Sequence, residues 1–201
     1  MPPIPPVTKA LMLICTALFC LTLLVPGAGA VGAWLALWPV NSGLFWPWQV
    51  VTYGFLHASL GHLFFNMLGL WMFGGELERI WGGRRYTHFL LASTLTAALA
   101  QLLLSFSVGM SAPTVGASGA LYGLLMAFGM LFPNRMIMPL FPPIPMKAKY
   151  FVMVFGALAL LSGVAGGGDG IAHFAHLGGM LGGFLMIRFW RGQPPFPRRR
   201  R

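Results

Sequence analysis

The chain has 201 residues, of which 57% are hydrophobic and only 8% charged, with a mean hydropathy of +0.77. That composition excludes a water-soluble globular domain and points to a polytopic membrane protein. The net charge of +10 is spread as punctuation between apolar runs. Anionic lipid headgroups are therefore the expected partner of this charge, and nucleic acid is not.

Residues 7–25 form the first expected span, closed by Pro26-Gly27. Its Pro-rich, weakly basic start and the Trp-rich stretch after it favour a retained span over a cleaved leader. Cys15 and Cys20 lie within it and are expected to face lipid or neighbouring helices rather than to form a disulfide. Residues 27–47 follow as a loop whose apolar core, 31–40, is too short to span. Trp34, Trp38, Trp46 and Trp48 mark this loop as lying in the membrane interface, because Trp prefers the headgroup boundary. Further spans are expected at 60–80, 89–108, 118–132, 151–165 and 171–190, followed by a basic tail at 191–201. The expected fold is an all-α membrane protein, one six-helix membrane domain over 1–201 with an interfacial first loop.

Charge placement supports this count. With six spans, all 13 basic residues fall on one side: Lys9, then Arg79, Arg84 and Arg85, then Arg135, Lys147 and Lys149, and finally Arg188 at the end of the sixth span with Arg191 and Arg198–Arg201 after it. The positive-inside rule places both termini in the cytoplasm. Asp169 is then expected in an outer loop.

The fourth span is short. From Ser118 to Phe132 a helix rises only ~22 Å, against ~30 Å of hydrocarbon. If its Pro133-Asn134-Arg135 end sits at one face, Gly116-Ala117-Ser118-Gly119 starts inside the membrane. Irregular backbone there is tolerated only when buried in protein or lining a wet cavity. Ser118 would sit at a helix N-terminus, where free N–H groups favour negative charge. A small-residue packing motif is the competing reading of the same string.

Ionisable groups within spans are costly and suggest function. His62 and Asn66 are four apart and share a helix face, and His176 lies in the sixth span. Ser118 precedes Phe132, His176 precedes Trp190 and His62 precedes Glu76 by 14 residues each, so all three lie ~21 Å above a cytoplasmic helix end. Together they supply a nucleophile, a base and donors for an oxyanion. Taken singly, each could equally serve an interhelical hydrogen bond. The acids are few: Glu76, Glu78 and Asp169. One Asp excludes a two-aspartate protease, and no His-Glu-x-x-His zinc signature is present. No carboxylate is placed to orient an imidazole, which leaves a dyad rather than a triad. A zinc cluster of His57, His62, His173 and His176 is possible on residue types alone, but structural roles for His57 and His173 suffice.

Four motifs, in order and spacing, carry a resemblance across roughly residues 49–188. They are His57-Ala-Ser-Leu-Gly-His62-Leu-Phe-Phe-Asn66; Gly74-Gly-Glu-Leu-Glu78-Arg-Ile-Trp-Gly82; Gly116-Ala-Ser118-Gly119; and Ala175-His176-Leu-Gly-Gly179 followed by Gly183. The chain resembles the rhomboid intramembrane serine proteases, in their minimal six-helix prokaryotic-type form. The resemblance implies Ser118 as nucleophile and His176 as base, with His62, Asn66 and the Ser118 backbone N–H holding the oxyanion. It implies that Tyr122 packs beside His176, that Glu78 is a structural acid tying the second span to neighbouring loops, and that His57 bonds around a loop. Gly179 and Gly183 would let the sixth span approach the fourth. Gly179 follows His176 by three residues, as in the family motif, so the base is assigned to His176 rather than His173. The implied substrates are single-span membrane proteins, in the cell (inner) membrane, with no cofactor or metal. Many members carry a Trp-Arg pair in the first loop, whereas here no Lys or Arg occurs between Lys9 and Arg79. The rival reading is a catalytically inactive relative that binds or chaperones transmembrane helices.

Overall fold

Pro6 opens the first helix, α1 (Pro6–Leu24), at a position where a missing N–H costs nothing. The computed structural model describes residues 3–140, 143–165 and 172–196. Asp169 and the arginines at 198–201 lie outside the described residues. After α1 the chain makes a short helix, α2 (Gly29–Leu35), and a single helical turn, α3 (Gln49–Thr52). A long helical segment follows as α4 (Leu60–Gly69), one widened π-type turn (Leu70–Gly74) and α5 (Gly75–Trp81). Next come α6 (Gly83–Val108) and α7 (Ser118–Leu131). A two-residue hairpin, β1 (Met136–Ile137) against β2 (Met146–Lys147), leads to α8 (Ala148–Val164) and α9 (His173–Arg191).

The bundle carries its apolar residues outside as well as inside. Leu23, Leu24, Leu99, Leu103, Phe106, Met153, Leu161 and Val164 are all exposed, a surface suited to hydrocarbon rather than water. Helix α6 starts at Gly83, six residues before the expected 89, and takes in Arg84 and Arg85. Arg85 stands 5.1 Å over the Trp190 ring, so its charge stays at the helix end while its stem covers apolar surface. Helix α8 likewise begins at Ala148 rather than 151.

Helix α9 sits between α6 and α7, and glycine makes both approaches possible. A Cβ at Gly179 would overlap the Gly119 carbonyl oxygen, and one at Gly183 would lie 2.7 Å from the Gly123 carbonyl oxygen. On the adjacent face, Gly178 and Gly182 approach Thr96 and the Ala92 carbonyl of α6. Small residues allow this proximity, which dispersion then stabilises.

The N-terminus of α1 is capped from another helix. The Glu78 carboxylate accepts from the Val7 N–H at 2.9 Å, the Thr8 N–H at 2.7 Å and the Thr8 hydroxyl at 2.7 Å. Two orphan helix donors are thereby satisfied by a buried anion at the positive end of the α1 dipole. The partner of Glu78 is thus the start of α1, not the loops expected from the resemblance. Glu78→Gln turns an NH2 toward these donors and should cost about 1–3 kcal/mol. A lower melting temperature with unchanged turnover per folded molecule is expected, since twelve residues of helix separate Glu78 from Asn66, ~18 Å. Loss of turnover at full thermal stability would contradict a purely structural role.

The first loop is organised around a residue the sequence did not single out. Gln49 is fully buried; its Oε1 accepts from the Trp38 N–H, and its Nε2 donates to the carbonyls of Trp34 and Leu44. Trp48 stacks on Trp46 and leans on Trp34, and the Thr52 hydroxyl donates to the Leu35 carbonyl. A neutral amide that both donates and accepts therefore ties the loop together, with no cation needed.

Candidate active site

Three stretches of chain converge on Ser118. The first is the approach to α7. Gly116 has φ of +129°, a conformation side chains avoid. A Cβ there would also lie 2.7 Å from Nε2 of His62. Gly116 thus permits the turn and leaves room for the His62 ring beside Ser118. This turn is held by Tyr53, another residue the sequence did not mark. The Tyr53 carbonyl accepts from the Gly116 N–H at 2.9 Å, and its hydroxyl donates to the Thr94 carbonyl at 3.0 Å. An antiparallel bridge between Leu37 and Thr114 secures the same segment from the first loop.

The second stretch is the start of α4. The Ser59 hydroxyl accepts from the His62 N–H at 3.1 Å and caps the helix that carries His62 and Asn66. On the His62 ring, Nδ1 accepts from the Ala58 N–H at 3.4 Å. With Nδ1 accepting, Nε2 is the ring nitrogen left to carry the proton, and it lies against Gly116. Asn66 is buried on the same face, and its Nδ2 donates to the His62 carbonyl at 2.8 Å. One amide hydrogen is thus committed within the helix, and the second is left for another acceptor. His57 packs its ring edge against His62, centroids 5.1 Å apart.

The third stretch is the start of α9. Nε2 of His176 lies 2.8 Å from Oγ of Ser118, and the imidazole is buried. Tyr122, one turn after Ser118, stacks flat on the His176 ring at 4.2 Å and 5° between planes. That parallel stack fixes the ring plane and so aims Nε2. His173 turns its ring perpendicular to His176, centroids 6.2 Å apart. Below this level, Gly179 meets Gly119 at the closest point between α9 and α7. Ser118, His176, His62, Gly116, Gly119, Tyr122 and Gly179 are therefore brought together, with Asn66 behind His62, while Glu78 stands apart at the α1 terminus.

A membrane-embedded helical bundle with a serine hydrogen-bonded to a histidine across two helices is the class that this geometry defines. A Rhomboid domain model matches residues 45–192. "Rhomboid protease GlpG" of Yersinia pestis (strain Pestoides F) is 33% identical over 187 residues, which cover 92% of this chain and 62% of that relative. "Rhomboid protease GlpG" of Yersinia enterocolitica serotype O:8 / biotype 1B is 34% identical, with the same shares covered. The chain belongs to the rhomboid family. It spans less than two thirds of the length of these relatives.

Proposed function

We propose that the chain is an intramembrane serine endopeptidase that cleaves transmembrane segments of other membrane proteins through a Ser118–His176 dyad. The 2.8 Å bond between Ser118 Oγ and His176 Nε2 carries this reading. His176 takes the hydroxyl proton as Oγ bonds to the scissile carbonyl carbon. The negative charge that develops on oxygen meets the His62 Nε2–H, the remaining Asn66 amide hydrogen and the backbone N–H of Ser118. This last group is an orphan donor at the positive end of α7. Collapse breaks the C–N bond, and His176 returns its proton to the departing amine. Water then attacks the acyl-enzyme with His176 again as base. A helical substrate hides its carbonyls in hydrogen bonds, so it must unwind before attack.

The long segments α1, α4 to α5, α6, α7, α8 and α9 act as six spans, with the first loop in the outer interface. The start of α1 and the end of α9 face the cytoplasm, in keeping with the one-sided basic residues. An inactive, helix-binding relative is the weaker reading, because Ser118 and His176 are both present and bonded.

The test uses the purified full chain in detergent with a model single-span substrate, alongside Ser118→Ala. Cleavage is expected from the unsubstituted chain alone, together with fluorophosphonate labelling of Ser118 and full activity in the presence of a chelator. Activity that vanishes on chelation and returns with zinc would transfer the chemistry to the histidines as metal ligands. Binding of the substrate without cleavage, and without labelling, would favour the inactive relative.

A further inference from the structure

A cavity of about 400 Å³ opens at the far end of the bundle from Ser118, between the α5 segment and the chain leaving α7. Ten residues of α7 separate Ser118 from Phe128 in its wall, ~15 Å by helix rise. The cavity is two-toned. Its wall combines Arg79, Arg135 and Glu76 with Trp71, Met72 and Met138. The apolar residues are exposed, and Met138 is 64% accessible. From Trp71 to Arg79 the helix rises ~12 Å, comparable to the depth from a headgroup phosphate into the upper acyl region.

The charged lining residues carry an excess of one positive charge. Glu76 is paired with Arg135, which leaves Arg79 without an acid in the cavity. One terminal nitrogen of Arg79 donates to the Pro3 carbonyl at 2.8 Å, which steadies the side chain while the rest of its guanidinium fork remains available to another acceptor. Arg135 is likewise held in place, 5.7 Å over the Phe128 ring and 5.5 Å over Phe132. These are two positioned cations above an exposed apolar trough, at the end of the bundle where the basic residues collect.

We propose that this cavity binds one anionic phospholipid of the cytoplasmic leaflet. Its phosphodiester lies between Arg79 and Arg135, and an acyl chain runs along Trp71, Met72 and Met138. Charge selects the lipid. A monoanionic headgroup neutralises the surplus positive charge, whereas a zwitterionic one brings its own ammonium toward the two guanidinium groups. Glu76 is the internal competitor, because its carboxylate occupies Arg135 as the phosphate would. This site is independent of the proposed proteolysis and requires no catalytic group.

Native mass spectrometry of the full chain, released from neutral detergent after titration with phosphatidylglycerol or phosphatidylcholine of matched chains, tests the site. One retained phosphatidylglycerol is expected, preferred about tenfold or more over phosphatidylcholine. Arg79→Gln should reduce retention of the anionic lipid about tenfold, with melting temperature recorded to confirm folding. Glu76→Gln should act in the opposite direction and raise it, a change that misfolding does not produce. Ser118→Ala should retain lipid like the unsubstituted chain. Equal retention of both lipids, or retention unchanged in Arg79→Gln and Glu76→Gln, would overturn the proposal. So would displacement of the lipid by millimolar inorganic phosphate, because the site would then read phosphate alone.

Discussion

Ser118→Ala and His176→Ala are each expected to lower cleavage at least ~10⁴-fold, and the double variant to be no worse than either single one. Both side chains belong to a single hydrogen bond. Removing the serine leaves nothing to attack, and removing the histidine leaves a hydroxyl with no base. Asn66→Ala should cost no more than ~10²–10³-fold. One of its amide hydrogens is already spent on the His62 carbonyl, while the proposed mechanism keeps two other oxyanion donors, His62 and the α7 backbone. His173→Ala should keep most of the activity, since its ring stands edge-on to His176 and not between His176 and Ser118. Initial rates on one transmembrane substrate, with melting temperatures for every variant, check the set. An inactive His173→Ala beside an active His176→Ala, both folded, would reverse the assignment of the base.

What could be read from the sequence follows from which interactions are local. The start of α7 at Ser118 is legible because Pro113 and Gly116 punctuate the chain just ahead of an apolar run. The His62–Asn66 pair was visible because four residues make one helical turn. The crossing of α9 and α7 followed from Gly179 and Gly183, but the second glycine face, Gly178 and Gly182 against α6, did not. Nothing in the sequence says which neighbour each glycine meets. The start of α6 lies six residues ahead of the apolar run that marks it, because Arg84 and Arg85 have the character of loop charges. In the fold they belong to the helix, and Arg85 rests over Trp190, a residue more than a hundred positions away. Tyr53, Gln49 and Thr8 are not legible in the sequence for a related reason. Each is an uncharged polar residue whose role lies in bonds to distant backbone or side chains, and no local pattern marks it.

The glycine crossing leads to the other large expected effect. Gly179→Ala adds one methyl group at the point where α9 rests on the Gly119 carbonyl. The obstacle is backbone rather than a flexible side chain, so the strain is relieved only by moving one helix away from the other. Ser118 precedes Gly119 and His176 lies one turn ahead of Gly179, so the same movement lengthens the 2.8 Å bond between them. A displacement of about 1 Å is enough to cost ~10²-fold in rate, and melting temperature should fall with it. Two other glycines calibrate the effect. At Gly156 of α8 an added Cβ meets the terminal methyl of Met180 at 3.2 Å, a flexible neighbour that can move aside, so Gly156→Ala should be mild. At Gly29 of α2 nothing lies within 4 Å, and alanine there should be neutral or slightly stabilising through helix propensity. The expected order of damage, in both melting temperature and rate, is Gly179, then Gly156, then Gly29. If Gly179→Ala melts and cleaves like Gly29→Ala, the two helices do not rest on each other at Gly119, and the close crossing is not what holds the serine and the histidine in register.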